Sequence, residues 1–239
     1  LRNIGAIVKK SKKSYFYFLS DDEAKNIAGA LNLQQDDKLI AMTYNKPEIY
    51  VHARRDANNE IFDHYSQYDD NEKRMKIKIV DSAYLSVVAL KQNDKALPVN
   101  CVKINKDTRV VESSFNAMII GFGSTGLEAF KFLYEYSAFI DKDLKRIPFK
   151  CCAIDENMNK IEGVVREKMP AIGEDELSFI NTSVDSEEFW TKISSQINDL
   201  NYIVITLNND EIGLSLAVNL FKYALRKRTS ASLDCNLAA

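Results

Sequence analysis

Near the middle of the 239-residue chain stands the spacing that points most directly to a chemistry: Gly121-Phe122-Gly123-Ser124-Thr125-Gly126, a G-x-G-x-x-G. In such a turn Gly121 permits the sharp reversal, Gly123 lets the backbone approach a pyrophosphate, and Gly126 lets the new helix pack against its strand. The free N–H groups of that helix's first turn then face a phosphate, where the macrodipole favours negative charge. A carboxylate at the end of the second strand of such a unit accepts from both ribose hydroxyls and repels a 2′-phosphate. Asp155 is the candidate for that place and Glu156 the runner-up; a charged excursion at 141–148 accounts for a separation longer than the usual spacing of roughly 20 residues.

Other reactive residue types give little to build on. The two histidines, His52 and His64, lie far in sequence from the glycine turn and read as structural. There is no G-x-S-x-G, H-E-x-x-H or G-K-[ST], and no acid–base dyad that spacing would pair, so binding without turnover fits better than catalysis. Cys101, Cys151, Cys152 and Cys235 have neither C-x-x-C nor disulfide-framework spacing, which points to a reducing compartment and away from a structural metal. Adjacent Cys151 and Cys152 fall on opposite faces of a strand as small buried hydrophobes.

The elements around the turn follow from the apolar pattern. A run at 116–120 leads into the glycines, and a helix with Leu127, Phe130, Phe132, Leu133 and Tyr134 leads out. Further strands are expected at 149–154, 177–182 and 202–207, with a helix carrying Phe189, Trp190, Ile193 and Ile197 before the last. Upstream, aromatic or β-branched runs at 15–19, 48–53 and 75–80 each precede a helix. The first of these helices is capped by Ser20-Asp21-Asp22-Glu23, the second runs through Ile61, Phe62 and Tyr65, and Asp81-Ser82 caps the third. Alternating strand and helix predict an α/β fold: a Rossmann-like parallel sheet with helices on both faces. The polar stretch 91–114 divides the chain into modules at 1–104 and 115–228. Strand, polar turn and Asp-Glu pair recur at 17–23 and 205–211 with an offset of 188 residues, as in two related but incomplete modules, the first entering at the equivalent of the second's fourth strand.

Composition sets the outer bounds. Hydrophobic content of 46%, charged content of 28%, 8 Gly and 4 Pro are those of an ordinary folded chain, and a formal net charge of -2 offers no field for nucleic acid. The basic runs at 9–13 and 226–228 fall where helices are expected to end. No apolar run approaches the roughly 18 residues of a membrane span, and Leu1-Arg2-Asn3-Ile4 does not open a signal peptide. The lack of an initiator Met points to a piece of something longer.

On these residues the chain resembles the cytoplasmic nucleotide-binding regulatory domains of potassium channels and transporters, the RCK or TrkA-N family. Ile119-Ile120-Gly121-Phe122-Gly123-Ser124-Thr125-Gly126 and Asp155 match its front half. Ser20-Asp21-Asp22-Glu23 looks like its T-G-D-D-E turn, and Val51-His52-Ala53-Arg54 and Ile79-Val80-Asp81 look like its fifth and sixth strand segments. Where the family commonly has G-D-A after the third strand, this chain has Asn181-Thr182-Ser183, a departure at the position whose acid helps hold adenine. The resemblance implies a regulatory, nonenzymatic domain that takes NAD or NADH, or ATP or ADP. Gly121, Gly123, Ser124, Thr125 and Gly126 would meet the pyrophosphate and Asp155 the ribose. It also implies homo-oligomers acting on a membrane-embedded potassium channel or transporter subunit or domain, at the cytoplasmic face of the membrane. An NAD-dependent oxidoreductase fragment without its substrate domain, and a degenerate assembly module with an empty turn, are the alternatives.

Overall fold

The computed structural model describes residues 14–36, 47–55, 58 and 76–237, with side chains to 227. Its contacts divide the chain into two units, at 1–85 and 86–239.

The first unit holds a three-stranded parallel sheet in sequential order, β1 (Tyr15–Phe18), β2 (Glu48–His52) and β3 (Lys76–Val80). Alternation along the strands puts Phe16, Phe18, Ile49, Val51, Ile77 and Ile79 on one face, where Ala30 and Leu33 of α1 (Glu23–Gln34) pack. Asp22 caps α1, its side chain accepting from Lys25 N. Buried Asn26 ties the strand ends together: its Nδ2 donates to Ser20 O at 2.7 Å and His52 O at 3.1 Å, and its Oδ1 accepts from Ser20 N at 3.0 Å. At the end of β3, Asp81 Oδ1 accepts from Tyr84 N and so caps α2 (Ser82–Lys91) as expected. The helix expected through Ile61, Phe62 and Tyr65, the basic run at 9–13 and His64 lie outside the described residues.

The second unit is a doubly wound four-stranded parallel sheet. Its strands are β4 (Phe115–Ile120), β5 (Phe149–Asp155), β6 (Leu177–Asn181) and β7 (Tyr202–Ile205), in the spatial order β6-β5-β4-β7. Its helices are α3 (Ser124–Tyr136), α4 (Met158–Lys168), α5 (Glu187–Gln196) and α6 (Asp210–Leu237). Both faces are covered. Phe115, Ala117, Ile119, Cys151 and Ala153 meet Phe130 and Leu133 of α3 and Met158 and Val165 of α4; Met118, Ile120, Cys152 and Ile154 meet Phe189 and Ile193 of α5 and Leu216 and Leu220 of α6. Cys151 and Cys152 thus enter opposite cores, and the near-continuous apolar run of β4 is what a central parallel strand buried on both faces requires.

Three features differ from the sequence reading. First, the division falls at 85/86, because Val87, Leu90, Leu97, Cys101 and Val102 join the core of the second unit rather than that of a module ending at 104. Tyr202 Oη donates to Ala96 O at 2.9 Å and Asn201 Nδ2 to Cys101 O at 3.0 Å, pinning this segment to the foot of β7. Second, α6 does not stop at the basic run 226–228 but continues to Leu237, since nothing after Arg226 breaks a helix: no Gly or Pro follows. Third, the repeat is offset by 187 residues, not 188: Tyr15 and Tyr202 open equivalent strands, Asp22 and Asn209 cap equivalent helices, and Glu23 and Asp210 begin them. The matching Asp-Glu pairs drew the sequence register one residue off the N-cap roles. On that equivalence the two sheets supply strands 4-5-6 and 3-2-1-4 of one six-stranded order.

Candidate functional site

The glycine turn is built as its spacing implies. Gly121 has φ +86°, and a Cβ there would stand 2.7 Å from Thr206 O, so both conformation and space demand glycine. Gly121 N donates to Ile154 O at 2.8 Å and Thr206 N to Ile120 O at 2.8 Å, fixing the turn between its two neighbouring strands. A Cβ on Gly126 would collide with Gly121 O, which already accepts from Thr206 Oγ1.

Gly123 differs from both. Its φ of -71° and ψ of -157° suit any residue, and a Cβ there would meet nothing within 4 Å. Neither backbone strain nor internal packing asks for glycine at this position. Gly123 is also the N-cap of α3, with no side-chain capping bond, while its C=O accepts from Leu127 N at 2.9 Å. The first turn of α3, which carries Ser124, Thr125 and Gly126, therefore opens on the concave side of the turn, with the positive end of its dipole toward the cleft.

Asp155 ends β5 beside that turn. Its Oδ2 accepts from Phe122 N at 2.7 Å and its Oδ1 from Asn157 N at 2.8 Å. The carboxylate thus holds the glycine turn in place, a duty the sequence did not reveal, and each oxygen keeps lone-pair capacity for a further donor. Glu156, the runner-up, is exposed on the same rim.

These groups share a cleft of about 300 Å³ lined by Gly121, Gly123, Asp155, Glu156 and Asn157, by Thr182 to Asp185 after β6, and by Thr206 to Asn209 and Ile212 after β7. It lies at the carboxyl ends of the strands, where the sheet order reverses between β4 and β7, the place ligands occupy in open α/β sheets. A larger cleft of about 540 Å³ opens at the other end of the same sheet, around Asn116, Lys150, Asp199 and Asn201, away from the glycine turn. Ser124, Thr125 and Gly126 begin α3 and are not among the residues that line the cleft.

After β6 the chain carries Asn181-Thr182-Ser183. Thr182 is buried and its hydroxyl lies 2.7 Å from Ser186 Oγ, which caps α5 by accepting from Phe189 N at 3.1 Å. The acid on this side of the cleft is Asp185, three residues beyond Thr182, and sequence reasoning missed it. So too the residues after β7, where Asn209 caps α6 by accepting from Glu211 N and Ile212 N. A strand-end polar run such as Asn208-Asn209 was the available signal.

The histidine described is engaged elsewhere: in the first unit, His52 Nε2 lies 3.2 Å from Ser82 Oγ. Burial pushes the Cys151 thiol well above its ordinary range and raises that of Cys152, which fits packing rather than reactivity. Among the described residues no cluster of three or more His, Cys, Asp or Glu is arranged to hold a metal, and no helix is long and apolar enough to cross a membrane. Compared with the models of known families and with curated proteins, the chain matches none.

Proposed function

We propose that the second unit binds NAD or NADH and serves as a nucleotide-sensing, nonenzymatic regulatory module of a potassium transport system. Gly123 carries the reading: a glycine that neither φ nor packing requires, at the mouth of an uncapped helix, is accounted for by a pyrophosphate that must come closer than a Cβ allows. The α3 N–H groups of Ser124, Thr125 and Gly126 would hold the two phosphates, and Asp155, already oriented by two backbone amides, would take the ribose hydroxyls.

The charge of the cleft favours one ligand among the candidates. Asp155, Glu156 and Asp185 line it, and among the described residues no Lys or Arg does. A triphosphate or a 2′-phosphate would meet like charge there, whereas a dinucleotide brings two phosphates to the helix end and two riboses to carboxylates. NAD(H) is therefore preferred over ATP and ADP. The tie to potassium transport, to homo-oligomers and to a membrane-embedded partner rests on the likeness of the glycine turn, Asp155 and the S-D-D-E turn to RCK domains.

Calorimetric titration of the chain with NAD, NADH, ADP and ATP tests the reading. Heat and thermal stabilisation with NAD or NADH, weaker with ATP, are expected; no response to any of the four overturns it. Consumption of NADH with an added hydride acceptor would move the assignment to an oxidoreductase.

A further inference from the structure

The cleft of about 540 Å³ at the foot of the second sheet has no part in nucleotide binding, yet its size falls within the roughly 300–1,000 Å³ usual for small-molecule sites. Strand register builds its floor. Asn116 lies opposite Lys150 and Cys152 opposite Ser178, and alternation puts all four on the face of the sheet that α5 covers. Helix α5 ends at Gln196, and with the turn that follows it forms a wall of the cleft. That turn is fixed from within: Ile197 and Leu200 are buried in the core, Asp199 N donates to Gln196 O at 2.9 Å, and Asn201 N donates to Asn116 O at 2.8 Å. The wall therefore stands before any ligand arrives.

The polar groups of the cleft fall into two sets. Asn116 and Asn201 are spent on holding the wall: Asn116 Nδ2 donates to Asp199 O at 3.0 Å, and Asn201 Oδ1 accepts from Asn116 N at 2.8 Å. Lys150, Asp175 and Asp199 are not so engaged. Among the described residues nothing pairs with the Lys150 ammonium or with the carboxylates of Asp175 and Asp199, whereas neighbouring Glu176 already meets Arg146 at 3.1 Å. Gln196 adds a sharper signal, for its Oε1 is buried and accepts from no donor, a state that folded proteins rarely keep. Leu200 and Cys152, whose thiol burial keeps protonated, supply an apolar part.

An unpaired cation, two unpaired carboxylates and a buried carbonyl without a donor complement a molecule that carries one carboxylate and two amino or guanidino groups. From this arrangement we infer that the cleft binds a basic α-amino acid. The ligand's carboxylate pairs with Lys150 and its two cationic groups with Asp175 and Asp199, while its aliphatic stem lies along Cys152 and Leu200. Gln196 accepts from one of the cationic groups by turning its amide about the soft terminal torsion. An acidic amino acid would bring like charge to the carboxylates, and a neutral one would leave a carboxylate unpaired. Neither floor nor wall includes the glycine turn, so the assignment stands whether or not the chain binds a nucleotide.

Titration calorimetry and thermal unfolding of the full chain with L-arginine, L-lysine and L-ornithine test it, with L-leucine, L-glutamate and agmatine as controls. Saturable binding of at least one basic amino acid is expected. Agmatine, which has the guanidinium and amine of arginine without the carboxylate, should bind more weakly than arginine by about tenfold or more. Lys150→Ala should erase that difference, and Asp199→Asn should weaken both ligands; both side chains are exposed, so the fold should survive either change. Gln196→Met should weaken binding while the melting temperature holds or rises, because the change removes an unsatisfied buried acceptor; a glutamine that served packing alone would leave binding untouched. Should Gln196→Met fail to fold, Lys150→Ala and Asp199→Asn carry the test. No saturable binding of any basic amino acid, affinity unchanged by both of those substitutions, or equal affinity for L-leucine or L-glutamate overturns the site.

Discussion

Replacing Gly123 with alanine separates what the fold needs from what the ligand needs. In the free protein the new methyl group meets no heavy atom within 4 Å, and the backbone at φ -71° and ψ -157° accepts it. The remaining cost is the preference of an N-cap for Gly over Ala, up to about 1 kcal/mol. Reduced freedom of the unfolded chain returns about 0.4–1 kcal/mol, so the net change is small. A shift of no more than roughly 2–4 °C in melting temperature follows for a protein of this size. Gly121→Ala and Gly126→Ala set the contrast. The first forces a side chain into φ +86° and against Thr206 O, a strain of roughly 1–3 kcal/mol before the clash is counted. The second drives a Cβ into Gly121 O, where backbone must move. Both should melt well below Gly123→Ala. With NADH the order should reverse: on the proposed reading the methyl group at 123 would stand where a phosphate oxygen has to come, and affinity should fall at least tenfold, about 1.4 kcal/mol. Scanning calorimetry gives the first quantity and titration calorimetry the second. Undiminished NADH affinity in a well-folded Gly123→Ala protein would refute the argument, and so would a melting point as low as that of Gly126→Ala.

Asp155→Asn should lower stability and nucleotide affinity together, because both the Phe122 and Asn157 amides lose a charged acceptor and one of them is left facing an NH2 donor; about 1.5–3 kcal/mol in urea unfolding is expected, and wild-type stability would show that the turn is held otherwise. Tyr202 is pushed up to about 12 by burial and by the nearby Cys101. Between pH 10 and 12 the folded chain keeps a proton that the unfolded chain sheds, so this contribution is intact below pH 10 and lost as pH rises through 12; Tyr202→Phe should remove that part of the alkaline slope in denaturant midpoints. In a Cys235→Ser background at neutral pH, N-ethylmaleimide should label half-buried Cys101 before Cys151 or Cys152. Early modification of either of the latter would contradict their burial.

The strand–turn–helix around Gly121 was legible because every signal in it is local: an apolar run, three glycines and a periodic helix within some twenty residues. The alternation of strands and helices was legible for the same reason, and with it the opposite placement of Cys151 and Cys152. What the sequence withheld depends on partners distant along the chain. That Leu97 and Cys101 belong with β7 rests on Asn201 and Tyr202 reaching back about a hundred residues, which no periodicity encodes. The second duty of Asp155 needed Phe122 to come within 2.7 Å across a crossover connection. The entry of Asp185 into the cleft depends on how Thr182 and Ser186 fold the loop between β6 and α5.

The double engagement of Asp155 has a consequence for how such a sequence can vary. A carboxylate that shapes the turn through two backbone amides cannot be traded for another group without disturbing the backbone it supports. Glu156 and Asp185 touch the same cleft without holding the glycine turn. Substitutions at these two rim positions would alter the charge of the cleft and leave the turn intact. Asp155, Gly121 and Gly126 hold one another's backbone in place, so a change at any of them moves the turn, whereas Gly123 can change without doing so.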